Sequence, residues 1–429
     1  MSVNYEKTLQ LLKKEMVIAM GCTEPAAAAL AGSKTGELLG ILPERVVAYA
    51  SRDMVKNTMA VGIPNCDDRG LLTAVCLGVC SENGIKDLSI LSDVNDRQRM
   101  EAAELISRSR LELVDGVPPV YVRVEAFSGD RSASCTISLE HDHFSEMIVN
   151  GEVLFREEVR EETANADELA QYAGTLTLKG ILDFAAEIKK EDVAFVLEAA
   201  KTNMNLAQYS LANDYGLKIA ATVLSDIPEV PTTLSEAMTR ACAFAAAGSD
   251  ARMSGCPRAV VINSGSGNQG ITCTVPLLIM SQYLGSDEEK LLQALCISEL
   301  VGLMITAKKS RLSALCGAFT AAMGAGCGMV HLMGGSIEQM NLAVRTMVAN
   351  LSGIVCDGAK TSCALKIYSS LQATCLAVRM AFNGEAPSRE SGIIGADAME
   401  SIENLMSMCH EGMVATDRSI LSIMLNKQS

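Results

Sequence analysis

The sequence contains no tryptophan, and with 8 Tyr and 8 Phe its aromatic content is only 4% of 429 residues. A core without large rings must be built from Ala, Leu, Val, Ile, Met and Gly, a set that suits closely packed helices. Basic charge is also in deficit: 36 Lys and Arg face 51 Asp and Glu, a net charge of −15. That argues against a general nucleic-acid surface, because phosphate binding needs clustered cations. An anionic ligand would need a local pocket of backbone N–H groups and a few cations. The fifteen cysteines include no Cys-x-x-Cys pair, so the strongest signature of a metal site is missing. Met1–Met16 carries Glu6, Lys7, Lys13, Lys14 and Glu15 rather than the basic patch and apolar run of a secretory signal. The expectation is a reduced, cytoplasmic protein in which thiols point to metal or catalysis before disulfides.

What is present divides the chain. At 429 residues it can bury a large core, and two domains are expected. Tyr5–Met20 places Leu9, Leu12, Met16 and Ala19 at helical spacing, and an Ala-rich helix follows from Ala26 to Leu39. Between them lies Gly21-Cys22-Thr23-Glu24-Pro25, with Thr23 as N-cap and Pro25 in the first turn. Cys22 thus stands beside a helix N-terminus, either as a functional thiol or as a turn residue packed on alanines. From Val46 to Leu154 the texture becomes β-rich: 46–51, 88–91, 111–114, 120–127, 133–140 and 144–149 read as strands, and 70–83 and 96–109 as helices. Val149-Asn150-Gly151-Glu152 carries a hairpin signal. Lys56-Asn57 and Gly62-Ile63-Pro64-Asn65 read as a polar loop that faces a cleft or merely connects. The acidic run Glu157–Asp167 marks a boundary, and the pattern beyond it is helical. The fold class expected is α+β. Residues 1–40 would be helices joining the helical domain, 41–160 an α+β layer with an antiparallel or mixed sheet, and 170–429 a mostly all-α domain.

One interruption of the helical half carries chemistry. Ala259-Val260-Val261-Ile262 leads into Asn263-Ser264-Gly265-Ser266-Gly267-Asn268-Gln269-Gly270, in which Gly265, Gly267 and Gly270 match G-x-G-x-x-G after a β-like run. A dinucleotide site would require a βαβ unit with a second parallel strand, and the residues past Leu284 read as helices. The more general expectation is a nest of backbone N–H groups for a small anion, a carboxylate as readily as a phosphate. The alternative is a plain flexible turn.

The stretch from Ser310 to Ser370 holds Leu315-Cys316-Gly317-Ala318 and Cys356-Asp357-Gly358-Ala359-Lys360-Thr361-Ser362-Cys363. Asp357-Gly358 breaks a helix, so Cys356 is expected near the N-terminus of a helix from Ala359 to Phe382, with Cys363 two turns along. Helix N-termini favour thiolates and anionic clusters, and a third thiol from the preceding layer would complete one face of an iron–sulphur cube. The alternative is three buried small hydrophobes. Leu312–Gly335 has one ionisable side chain besides cysteine, His331, and reads as a buried helix pair rather than a membrane span.

Taken in order, Gly21-Cys22-Thr23-Glu24-Pro25, Asn263–Gly270, Cys316-Gly317-Ala318 and Cys356–Cys363, with separations of 40 and 7 residues between the last three cysteines, resemble the L-cysteine desulfidase family over nearly the whole chain. That family is similar in turn to the α-chain of iron–sulphur L-serine dehydratases. The resemblance implies a [4Fe–4S] lyase without pyridoxal phosphate. It would cleave L-cysteine, a small amino-acid substrate, to sulfide and aminoacrylate, which hydrolyses to pyruvate and ammonia. It implies Cys316, Cys356 and Cys363 as cluster ligands, and Cys22 as a fourth motif cysteine that caps the unique iron at rest or acts near the substrate.

The chemistry needs a base and a Lewis acid. Lys56 and Lys360 are candidate cations or bases, with Cys22 and His331 as other proton acceptors. Asn57, Ser264, Gly265, Ser266, Gly267, Asn268 and Gln269 are candidate substrate-binding residues. L-serine is the alternative substrate. The competing classes are an NAD-dependent oxidoreductase built on Gly265–Gly270 and a non-catalytic membrane or scaffold protein. Nucleic acid and membrane partners are not expected, and a homodimer is left open.

Overall fold

The structure is a computed structural model that describes residues 4–82, 86–157, 168–309 and 313–427. Its architecture is α+β, with a mixed sheet in the N-terminal half and helices in the C-terminal half. One hydrophobic core lies between the sheet and the helices Thr23–Leu39, Leu71–Val79 and Asp96–Ile106, and a second fills the helical half. Most of the acidic run expected to mark a boundary lies outside the described residues.

Six strands form the sheet, in the spatial order Arg110–Leu113, Arg45–Ala50, Tyr121–Ser128, Arg131–Ser138, Phe144–Val149, Glu152–Arg156. Arg45–Ala50 and Arg110–Leu113 run parallel, and every other neighbouring pair is antiparallel. In Tyr121–Ser128, Val122, Val124 and Ala126 are buried beneath the helix Thr23–Leu39 while the residues between them are partly open. That alternation is the signature of a sheet covered on one face. Asn150 and Gly151 take φ values of 49° and 82°, the left-handed pair that a two-residue hairpin turn requires.

Two local expectations fail for tertiary reasons. Leu88–Leu91 is a series of turns, not a strand; the Leu88 carbonyl accepts from the Met20 N–H at 3.3 Å. The first helix stops at Glu15, and Ile18–Met20 instead pairs antiparallel with Ala259–Val261, joining the two halves of the chain. Strand pairing here overrides the helical spacing of Met16 and Ala19.

Small residues let helix backbones touch where rings are missing. A Cβ on Gly78 would stand 1.9 Å from the Ala29 carbonyl oxygen, and one on Gly324 would stand 2.3 Å from that of Ser298. The stretch suspected as a span, Leu312–Gly335, contains the 16-residue helix Gly317–Leu332, buried along most of its length. Among the described residues one helix, Glu288–Lys309, is long and apolar enough to cross a bilayer, and 78% of its apolar window is buried inside the molecule.

Candidate active site

The cysteine stretch is organised by a backbone bridge. Leu315 and Val355 pair antiparallel, with Cys316 N–H donating to the Ile354 carbonyl at 3.0 Å and Cys356 N–H to that of Ala314 at 2.6 Å. Residues flanking a bridge point to the opposite face from the bridging pair, so Cys316 and Cys356 share one face as diagonal neighbours. Their helix positions differ from expectation. Cys356 sits in extended chain, while Cys316 is the N-cap of Gly317–Leu332 and Cys363 is the first residue of the helix Cys363–Phe382. Between them Gly358, at φ +87°, lets the loop approach so closely that a Cβ would stand 2.4 Å from the Lys56 carbonyl oxygen.

The glycine segment forms a tight turn and then a helix. Asn263 and Ser266 exchange both backbone hydrogen bonds, at 3.0 and 3.1 Å, around Ser264 (φ 51°) and Gly265 (φ 77°). Strand Ala259–Val261 pairs antiparallel with Ile18–Met20, so the segment lacks the parallel βαβ setting that a dinucleotide site needs. The nest is also smaller than expected, because the Ser266 and Gly270 N–H groups are already engaged. The first turn of helix Gly267–Leu284 leaves the N–H groups of Gly267, Asn268 and Gln269 without intrahelical acceptors. Behind the turn, Ser264 donates to Asn263 Oδ1 at 3.0 Å, and Asn263 Nδ2 donates to Glu299 Oε2. Burial pushes the Glu299 carboxyl up to about 8, against the opposing pull of the Asn263 bond.

The N-terminal wall comes from two helices. Cys22, not Thr23, is the N-cap of Thr23–Leu39; the Thr23 hydroxyl instead bonds the Gly265 carbonyl at 2.8 Å. The Cys22 thiol donates to Glu24 Oε2 at 2.9 Å, and burial followed by the Glu24 charge holds it protonated. Burial works against the Glu24 charge, yet His141, the Cys22 bond and Arg252 keep its carboxyl below the ordinary range. Lys56 and Asn57 stand on the helix Arg52–Thr58 rather than in the expected loop. Lys56 bonds Asp53 at 3.1 Å and Asp417 at 2.5 Å. Burial opposes its charge, but Asp53, Cys356 and Asp417 raise it above the lysine range, so it is a fixed cation rather than a base.

These elements close around one cavity of about 100 Å³, which Cys22, Asn57, Gln269, Cys316, Cys356 and Cys363 all line. At about 10–15 Å³ per water, that space suits a small molecule and excludes a dinucleotide. Among the described residues no group of three or more His, Cys, Asp or Glu is tight enough for a single metal ion. Cys316 and Cys356 stand as diagonal cross-strand neighbours, and Cys363 comes to the same cavity from the helix beyond them. Positive charge surrounds them: Lys309 acts on Cys316 and Cys356, Lys366 on Cys316 and Cys363, and Lys360 on Cys363. Burial, then the neighbouring Cys356 and Cys363, push the Cys316 thiol up to about 12, a penalty that bound iron would relieve. Three thiol donors around one cavity, balanced by lysines, fit a multi-iron cluster.

Residues 85–422 match the family described as serine dehydratase alpha chain. The chain belongs to the serine dehydratase alpha chain family. It is similar over its whole length to a UPF0597 protein of Oleidesulfovibrio alaskensis, 36% identical over 426 residues with 99% of each chain covered. A UPF0597 protein of Porphyromonas gingivalis is 33% identical over 428 residues, again with 99% of each covered. One from Photobacterium profundum is 35% identical over 426 residues, with 98% of each covered.

In this serine dehydratase alpha chain relative, several cavity residues escape sequence reasoning. Glu24 carries no signal beyond its place in Gly21-Cys22-Thr23-Glu24-Pro25. Arg252, 3% exposed, reaches the cavity from the end of helix Leu234–Met253, where Asp250-Ala251-Arg252 interrupts an alanine run. Lys309 ends an apolar helix and reads there as an ordinary basic C-terminus. It lies fully inside, bonded to the Ser313 hydroxyl at 3.2 Å and the Leu315 carbonyl at 3.4 Å, and burial lowers its pKa. His141 lies in the turn between two strands, with no sequence signal at all. Two expected bases lie elsewhere. Lys360 folds onto its own loop, bonding the Asp357 carboxylate at 2.5 Å and the Asp357 and Gly358 carbonyls at 3.0 Å. His331 faces Gln293 at 3.0 Å near the far end of Gly317–Leu332, outside the cavity.

Proposed function

We propose that this chain is a [4Fe–4S]-dependent lyase that cleaves L-cysteine to sulfide, ammonia and pyruvate through aminoacrylate. The observation that carries the reading is the convergence of Cys316, Cys356 and Cys363 on the same small cavity as a carboxylate-sized turn, in a chain of the serine dehydratase alpha chain family. Cys316, Cys356 and Cys363 would hold the cluster, which would supply, when bound, a Lewis acid for the departing β-substituent.

The chain's own residues do the remainder. Arg252 and the N–H groups of Gly267, Asn268 and Gln269 bind the α-carboxylate. Lys56, fixed as a cation by two aspartates, keeps positive charge beside the thiolates. Elimination removes the α-proton, turns the Cα–H electron pair into the Cα–Cβ double bond, and sends the Cβ–S pair out with sulfur. Water then hydrolyses aminoacrylate to pyruvate and ammonia. The α-proton's acceptor is Lys309, a cavity amine bonded to a hydroxyl and a carbonyl rather than to a carboxylate, whose charge burial opposes.

L-serine is the second reading, favoured by the family's description. Anaerobic assays of sulfide and pyruvate from L-cysteine, beside pyruvate from L-serine, separate the two. Turnover of L-cysteine with the higher kcat/KM is expected. A clear preference for L-serine replaces the substrate, and turnover of neither removes the lyase reading.

A further inference from the structure

The cavity wall contains two amide oxygens with no donor. Asn57 is 5% exposed, and its Nδ2 donates to Glu24 Oε1 at 2.8 Å. A carboxylate only accepts, so this bond fixes the amide's orientation and turns Oδ1 the other way. That Oδ1 is buried and unpartnered. On helix Gly267–Leu284, Asn268 directs Nδ2 to the Met253 sulfur at 3.6 Å, and its Oδ1 is likewise buried without a partner. Buried acceptors are normally satisfied, and two orphans lining one cavity mark a missing donor. The two residues reach the cavity from different halves of the fold, so a ligand between them is held from both sides.

Both orphans are acceptors, and a carboxylate, Glu24, lies behind one of them; His141 and Arg252 offset its charge, yet this stretch of wall suits a cationic donor and not an anion. An anion would meet two lone pairs here; an ammonium group brings three N–H donors to two acceptors and a carboxylate. We propose that Asn57 and Asn268 form the subsite for the substrate's α-ammonium group, an inference that rests on the amino-acid lyase reading above. With the carboxylate at Arg252 and the helix N-terminus, and the β-substituent toward the cysteines, the substrate is held at three points. Such an arrangement distinguishes enantiomers and rejects the deaminated analogue.

The test is calorimetric binding of L-alanine, which has no β leaving group, and of propionate, which lacks only the ammonium. Wild-type protein is compared with Asn57→Leu and Asn268→Leu. Wild type should bind L-alanine at least about 10-fold more tightly than propionate, and each variant should lose about that factor for L-alanine alone. Asn268→Leu leaves the Glu24–Asn57 bond intact, so it remains informative if Asn57→Leu folds poorly. Equal binding of the two ligands by wild type, or an unchanged preference in both variants, overturns the subsite. A retained preference for L-alanine in an iron-loaded protein that turns over neither L-cysteine nor L-serine overturns the lyase reading and leaves the subsite standing.

Discussion

Cys316, Cys356 and Cys363 differ from the other thiols in what surrounds them. Cys76 and Cys80 are packed in the core beneath the sheet, and Cys375 lies 3.7 Å from Cys242, away from the cavity. Serine at any of the three cavity positions should remove bound iron and turnover, because an alkoxide is a far poorer ligand than a thiolate. Cys76→Ser, Cys80→Ser and Cys375→Ser should keep iron near the wild-type level, and iron analysis of all six variants decides the ligand set. Cys22→Ala should retain the iron and lower turnover, since its thiol bonds Glu24 at the cavity wall.

Glu299 provides a test at equilibrium. Its carboxyl is raised from 4.5 to about 8 by burial, so the folded protein holds a proton that the unfolded chain gives up. Its contribution is fully present below pH 4.5 and is lost as pH rises through about 8. Urea stability of the wild type should therefore fall over that window, more steeply than that of Glu299→Gln. Equal slopes would show that the buried carboxyl does not carry the proton. These residues show what the sequence leaves out at this scale. The motif cysteines stood out through the family resemblance, their spacing alone fitting buried hydrophobes as well, but Arg252, His141 and Lys309 sit in stretches whose composition is ordinary for a helix or a turn, and only the fold brings them to the cavity.

At the scale of elements, the scarcity of rings and the abundance of Gly and Ala made the packing legible in outline. Gly78→Ala should destabilise by about 3 kcal/mol in urea denaturation, because its Cβ would meet a backbone carbonyl that cannot yield. Gly174→Ala, in a helix with open space around it, should stabilise by about 0.5–1 kcal/mol. Gly267→Val would place its Cβ 2.4 Å from Arg252 Nε, which bonds the Gly21 carbonyl at 2.9 Å. It should keep iron while raising KM about 10-fold, as expected when a charged hydrogen-bonding group is displaced. The elements misread from sequence share one cause. Ile18–Met20 became a strand through a partner some 240 residues away, and Cys356 became extended through Leu315, contacts that no local periodicity encodes.

At the scale of the whole molecule, the cavity exists only because the sheet half and the helical half meet. Cys22 and Asn57 come from the first, and Asn268, Cys316 and Cys363 from the second. The α+β class was readable from the change of texture along the chain; strand pairing of Ile18–Met20 with Ala259–Val261 ties the start of the chain to the helical half, while the helix Thr23–Leu39 packs on the sheet. The most direct test of the central claim is iron and acid-labile sulfide per chain, counted in protein purified and assayed without oxygen. Four of each per chain are expected for one [4Fe–4S] cluster, lost on exposure to air together with the release of sulfide and pyruvate from L-cysteine. Protein free of iron that still carries full lyase activity would contradict it.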